Sequence, residues 1–192
     1  MIERFLKAKH WQIFLLTFGL QILMQSVLPL SFIGSSSNTM TIMSIFTMII
    51  GTIIIGVLLG WFWSIGVGLQ RKISVDVRMK VGRFKSFLLI ILLFFTFVIG
   101  LSLFSICRSM GIGQTGNGSV IIGMMNLILP LFLFSMYCMF YTLHFVAKTI
   151  KTVELQREVS FSDYAGEFFM LLFFPIGIWI VQPKINKVFE NR

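Results

Sequence analysis

EFFMLLFFPIGIWIVQPKINK, residues 167–187, places 16 uncharged residues between Glu167 and Lys184 and a proline near their middle. Whether this stretch crosses a membrane or enters it and turns back decides the number of spans and the side on which the tail lies. As a helix rising 1.5 Å per residue it would cover about 24 Å, short of the roughly 30 Å hydrocarbon core. Pro175 interrupts even that. Phe174-Pro175-Ile176-Gly177 fits a type I turn, with Pro second and Gly fourth. A helix starting at Ser162 or Asp163, either of which can cap it, would end at Phe174. EFFMLLFF is apolar on every side, so it demands burial in lipid or protein.

The rest of the chain supplies the context. Of 192 residues 57% are hydrophobic and 12% charged, with a mean hydropathy of +0.93, too apolar for a water-soluble domain of this size. Two Cys exclude a disulfide-stapled secreted scaffold. The basic start MIERFLKAKH could open a secretory signal, but the apolar run after it is too long and lacks a small-x-small cleavage site, so it reads as a retained span. No charge occurs between Trp11 and Gln70, enough for two spans joined at GSSSNT, residues 34–39. These are TM1 (11–33) and TM2 (40–69). TM3 (86–106) and TM4 (120–147) follow, making one all-α membrane domain over 1–192 with a short hydrophobic segment at 163–183.

Lys and Arg in short loops stay on the cytoplasmic side. Arg4, Lys7 and Lys9 precede TM1, and Arg71, Lys72, Arg78, Lys80, Arg83 and Lys85 separate TM2 from TM3, whereas GSSSNT has no charge and the TM3–TM4 loop only Arg108. The pattern places both ends of the four-helix set in the cytoplasm, with the bacterial inner membrane as the expected location. A crossing by 168–183 would carry Lys184, Lys187 and Arg192 outside. Charge therefore favours a re-entrant segment turning at Pro175 and Gly177, with a short kinked span as the alternative. This ending resembles the closing Pro-x-Gly segment of small, uncharacterised bacterial polytopic membrane proteins, a resemblance that brings no function with it.

Two loop segments carry a strand-like period. ISVDVRMKV (73–81) alternates apolar and polar, and VELQREVSF (153–161) nearly does. Paired antiparallel they would form a small two-stranded cytoplasmic element with basic residues facing Glu154 and Glu158. The competing expectation is a continuation of TM4 through Ile150 and Val153.

In TM2, Thr52, Gly56, Gly60, Ser64 and Gly68 recur every four residues, a spacing that admits close approach of another helix. Packing against TM3 or TM4 and a homodimer seam both fit. Polar residues within spans gather as Thr17, Gln21 and Gln25 on TM1 and as Asn126, Tyr137, Tyr141 and His144 on TM4. These residues suit interhelical hydrogen bonds or the lining of a small-solute path, with Pro29 and Pro130 exposing carbonyls. No acid or base lies deep in a span, which counts against coupled transport.

Other patterns carry less. Gly111-x-Gly113-x-x-Gly116 lacks the strand and helix that a dinucleotide site requires. Asn117-Gly118-Ser119 abuts TM4. The methionines near the outer ends, Met40, Met43, Met110, Met124 and Met125, fit packing better than Cu(I) binding. No catalytic constellation, cofactor pattern or metal-ligand set arises, and Cys107 and Cys138 lie at different depths. The expectation is a non-enzymatic scaffold or accessory subunit of a membrane assembly, the alternative a channel or transporter for a small solute. Partners would be membrane lipids, anionic ones at Arg71 to Lys85, and another membrane protein or a second copy. The net charge of +9 needs no nucleic acid to explain it.

Overall fold

A long apolar sequence must satisfy every backbone N–H and C=O internally, and helices do this without partners. The computed structural model describes residues 2–23, 25–26, 37–74, 77, 79–109 and 118–190, and no strand occurs among them. Helix α1 (Ile2–Lys7) leads to α2 (His10–Phe14), which runs on through a π-turn at Leu15–Gly19 into helical backbone at 20–23 and 25–26. Three long helices follow, α3 (Ser37–Gly68), α4 (Val81–Ser109) and α5 (Gly118–Leu155), with a 3-10 turn, Leu69–Lys72, closing α3. Two shorter helices, α6 (Phe161–Leu172) and α7 (Phe174–Glu190), complete the chain.

Among the described residues three segments are long and apolar enough to cross a membrane: Thr41–Lys72, Val81–Arg108 and Asn126–Leu155. They correspond to TM2, TM3 and TM4. For TM1 the described helix reaches residue 26. Its second half with Pro29, the first residues of GSSSNT, Arg78, the glycine loop 110–117 and Met110 lie outside the described residues, as do the side chains of Met40, Met124 and Met125.

The core sits at the basic end of the helices. Trp61, Phe62 and Ile65 of α3 and Leu69 of the turn that closes it are buried against Phe84, Leu88 and Ile91 of α4 and Leu143, Val146 and Ile150 of α5. At the opposite end large apolar side chains face outward, among them Phe46 and Ile49 on α3, Leu103 and Phe104 on α4, and Leu127 and Leu129 on α5. Between α3 and α4 the closest approach at a described glycine is at Gly66, where a Cβ would lie 2.5 Å from the Phe84 ring. Phe84 in turn stacks on Phe145 with centroids 4.6 Å apart.

Among the described residues the two-stranded element does not form. Val153 to Leu155 finish α5, which is 38 residues long, because Val146, Thr149, Ile150 and Val153 recur at helical spacing and are all buried. Gln156 ends the helix at φ 54°. The two segments still meet, through side chains rather than a ladder. Gln156 Nε2 donates to the carbonyls of Lys72 (2.8 Å) and Val153 (2.7 Å), and Ser74 Oγ donates to the Gln156 carbonyl at 3.4 Å.

The tail also departs in detail from the expected turn. The cap of α6 is Ser160, two residues before Ser162, and Ser160 N–H and Oγ both donate to Asp163 Oδ2 (2.9 and 3.1 Å). The chain breaks at Phe173 (φ −89°, ψ 58°), one residue before the expected turn, and residues 174–177 are the first turn of α7. Pro175 is welcome there, since early helical N–H groups have no intrahelical acceptor. The Phe173 carbonyl receives the N–H groups of Ile176 (3.0 Å) and Gly177 (2.9 Å). Gly177 is required by proximity: a Cβ on it would lie 1.8 Å from the Met170 carbonyl oxygen.

Candidate functional site

Where α6, α7, α1 and the ends of α3 and α5 meet, polar side chains concentrate inside an otherwise apolar molecule. Gln182, fully buried on α7, accepts from Trp61 Nε1 at 2.8 Å and donates to the carbonyls of Phe5 (3.1 Å) and Ala8 (2.8 Å) and to Asn186 Oδ1 (3.1 Å). Asn186 Nδ2 donates to the same Ala8 carbonyl at 3.3 Å. Ala8 and Lys9 separate α1 from α2; at this junction the Ala8 carbonyl is taken by the two side-chain amides, and the Phe5 carbonyl receives the Ala8 N–H at 3.3 Å besides Gln182. One amide thus joins the amino-terminal joint, α3 and α7. His10 and Phe14 extend this contact by packing on Trp179, with ring centroids 4.6 and 5.7 Å away.

A second cluster is ionic. Glu167 Oε1 lies 2.8 Å from Lys184 Nζ and 3.6 Å from Lys151 Nζ, and Glu154 Oε2 lies 3.1 Å from Lys151 and 3.7 Å from Lys184. Burial pushes the Glu167 carboxyl up. The hydrogen bond from Lys184, a backbone hydrogen bond and the two nearby ammonium charges outweigh it, and the carboxyl sits below its ordinary value. Two acids and two bases alternate here, tying α5, α6 and α7 together. Every charge in the cluster is already engaged by an opposite one, an arrangement suited to holding helices.

Lys72 performs a third tie. Its ammonium donates to the carbonyls of Val188 (3.1 Å) and Phe189 in the last turn of α7, and lies 4.7 Å from the Phe189 ring centroid. A cation at a helix carboxy-terminus satisfies orphan carbonyls and complements the helix dipole.

The small-residue series is divided among different neighbours. Gly60 faces α1, where a Cβ would lie 3.2 Å from the Phe5 ring. Ser64 is buried and donates to the Gly60 carbonyl at 2.7 Å. Gly56 has nothing within 4 Å of its Cβ position, Thr52 is exposed and donates to the Met48 carbonyl, and Gly68 is half-buried at the end of α3. Thr52 also lines a groove of about 850 Å3 between α3 and α4, closed at one point by Ile128 of α5. Thr47, Gly51, Ser102 and Ser105 put small and hydroxyl-bearing side chains into its apolar wall.

The polar faces of TM1 and TM4 do not converge on that groove. Gln21, Gln25 and Asn126 are exposed and none lines it. Tyr137 and Tyr141 instead border a separate cleft with Arg83, and His144 Nε2 is 2.6 Å from the Tyr164 hydroxyl of α6. Cys107 and Cys138 are both free thiols, one exposed and one buried.

Gln182, Trp61 and Gly66 escaped the reading of the sequence, and Glu167 and Lys184 entered it as the charges that bound the apolar run and not as a pair. Gln182 had a signal, being the one amide in the apolar run 168–183. Apart from Asn186, its partners lie 121 to 177 residues away and left none. No protein-family model, curated protein or solved structure matches this chain.

Proposed function

We propose that this chain is a non-enzymatic polytopic membrane protein of the bacterial inner membrane, a scaffold or accessory subunit whose groove between α3 and α4 receives a transmembrane helix of a second protein. The observation that carries the reading is the contrast between the two ends of the helices. The basic end is closed by aromatic packing, the Gln182 network and the ionic cluster, while the opposite end holds an 850 Å3 groove. Gly51 allows a helix backbone to approach, and the hydroxyl oxygens of Thr47 and Ser102, whose protons go to the Met43 and Val98 carbonyls, remain acceptors for it.

The same reading makes α6 and α7 a re-entrant hairpin, with both termini in the cytoplasm and TM1 as a fourth span. Its support is the contact of Glu167 with Lys184, since a crossing would place these two residues about 24 Å apart in depth. The channel or transporter alternative draws little from the geometry, because Gln21, Gln25 and Asn126 face outward at separate places.

A photo-crosslinking side chain in place of Thr47 or Ser102 tests the reading in native membranes. The expected result is an adduct of one defined mass containing a different membrane protein, absent when the probe replaces Leu133 on the outward face of α5 and lost with Gly51→Leu. Adducts with a second copy of this chain, or with lipid alone, would overturn it.

A further inference from the structure

At the basic end, the first turn of α4 and the middle of α5 enclose a cleft of about 420 Å3 lined by Gly82, Arg83, Ser86, Phe87, Tyr137 and Tyr141. Nothing lies within 4 Å of a Cβ placed on Gly82, so the mouth is open. Phe87 forms the inner wall, meeting Tyr141 edge-on at 4.5 Å and Tyr137 at 6.0 Å between centroids, and this fixes the two phenols at the rim. Among the described residues neither phenol oxygen nor the Arg83 guanidinium has a protein partner, although Arg157, Lys151 and Lys184 are all paired. The Ser86 hydroxyl, which donates to the Gly82 carbonyl at 3.2 Å, lines the cleft beside them, leaving the guanidinium and the two phenols as its donors.

Below the mouth the chemistry changes. Leu89 and Leu93, one and two turns after Ser86 on α4, and Leu133, one turn before Tyr137 on α5, are each more than half exposed. A ligand seated on Arg83 thus meets two apolar tracks running along the helices into the hydrocarbon layer. Guanidinium and phenol donors recognise a phosphate, and apolar tracks beneath them recognise acyl chains.

We propose that this cleft is a specific binding site for an anionic phospholipid, with the phosphate on Arg83, Tyr141 and Tyr137 and the acyl chains along Leu89, Leu93 and Leu133. A free phosphate would use the mouth alone. The site is independent of the helix-binding groove, which opens between α3 and α4 nearer the opposite end, so either proposal can fail without the other.

The test is native mass spectrometry of the full chain released from detergent after equilibration with equimolar phosphatidylglycerol and phosphatidylcholine of identical chains. The wild type is expected to retain phosphatidylglycerol preferentially. Arg83→Ala should lower that preference about five-fold, in line with one cation near the surface, while Arg83→Lys retains part of it and Arg71→Ala leaves it unchanged. Gly82→Glu, which brings a carboxylate to the mouth at an exposed position, should abolish the preference and serves as the second variant if Arg83→Ala elutes as aggregate. Glycerophosphate in large excess should fail to displace the lipid. Equal loss with Arg71→Ala, no loss with either cleft variant, or full displacement by glycerophosphate would overturn the proposal, the last assigning the mouth to soluble phosphate.

Discussion

Glu167 and Lys184, the two charges that bound the 16-residue apolar stretch of the tail, are in contact, Oε1 to Nζ at 2.8 Å. The first lies six residues before the break at Phe173 and the second eleven after it, so α7 folds back along α6 rather than continuing its direction. The turn works because Phe173 receives the first N–H groups of α7, Pro175 needs no acceptor, and Gly177 lets the two backbones touch.

Breaking this pair should loosen the hairpin. Glu167 is buried while Lys184 is partly exposed, so Lys184→Met is expected to destabilise by about 1–2 kcal/mol, the lower part of the range for a buried charge left short of a partner. Glu154→Gln, at a more exposed carboxylate, should change stability by less than about 0.5 kcal/mol. Thermal unfolding in a single detergent compares them, and equal losses would show that the cluster is not centred on Glu167.

The same carboxylate predicts an acid response. Its folded pKa lies below the ordinary value, so its contribution is fully present above the unfolded pKa of about 4.3 and is lost as pH falls through the folded one. Asp163, lowered first by the Ser160 N–H and helped by Arg157, has the same sign. Melting temperature should therefore hold from pH 7 to about pH 5 and decline below about pH 4. Glu167→Gln should flatten the decline; an unchanged slope would remove Glu167 from the linkage.

Gln182→Leu leaves the buried Trp61 N–H without its acceptor and takes one donor each from the Phe5 and Ala8 carbonyls, at a cost of about 1–3 kcal/mol. Because the same amide holds the junction of α1 and α2, limited proteolysis near Ala8 should accelerate in the variant. A variant as resistant as the wild type would mean that ring packing on Trp179 alone fixes the amino-terminal segment.

The glycines separate by neighbour rather than by spacing. Gly66→Ala would drive a methyl into the Phe84 ring and Gly177→Ala would drive one into the Met170 carbonyl, so both should destabilise strongly or prevent folding. Gly56→Ala meets open space inside a helix and should be neutral or stabilising by up to about 1 kcal/mol. The three yields and melting temperatures check the order; a costly Gly56→Ala would show that a partner occupies that face.

The long helices were legible because a charge-free run has few solutions other than a helix in lipid. The length of α5 was ambiguous, since Val153, Leu155 and Val159 alternate while Val146, Ile150 and Val153 keep helical spacing. The helix prevails where it buries Thr149, Ile150 and Val153 together. Pro175 and Gly177 suggested a type I turn, but the break falls at Phe173 and both lie inside the first turn of α7, where a proline is tolerated as well as in a loop. The four-residue series could not say which glycine meets which ring: Gly66, outside that register, is the one under Phe84. The Gln182 network joins residues from both ends of the chain, and such contacts leave no local pattern.

The most direct test of the hairpin is the side of the membrane on which the tail ends. Paired reporters fused after Arg192, one active only in the cytoplasm and one only outside it, give opposite readings for the two topologies. A re-entrant α6–α7 hairpin predicts activity of the cytoplasmic reporter alone. Activity of the external reporter alone would mean that 168–183 crosses, and would contradict it.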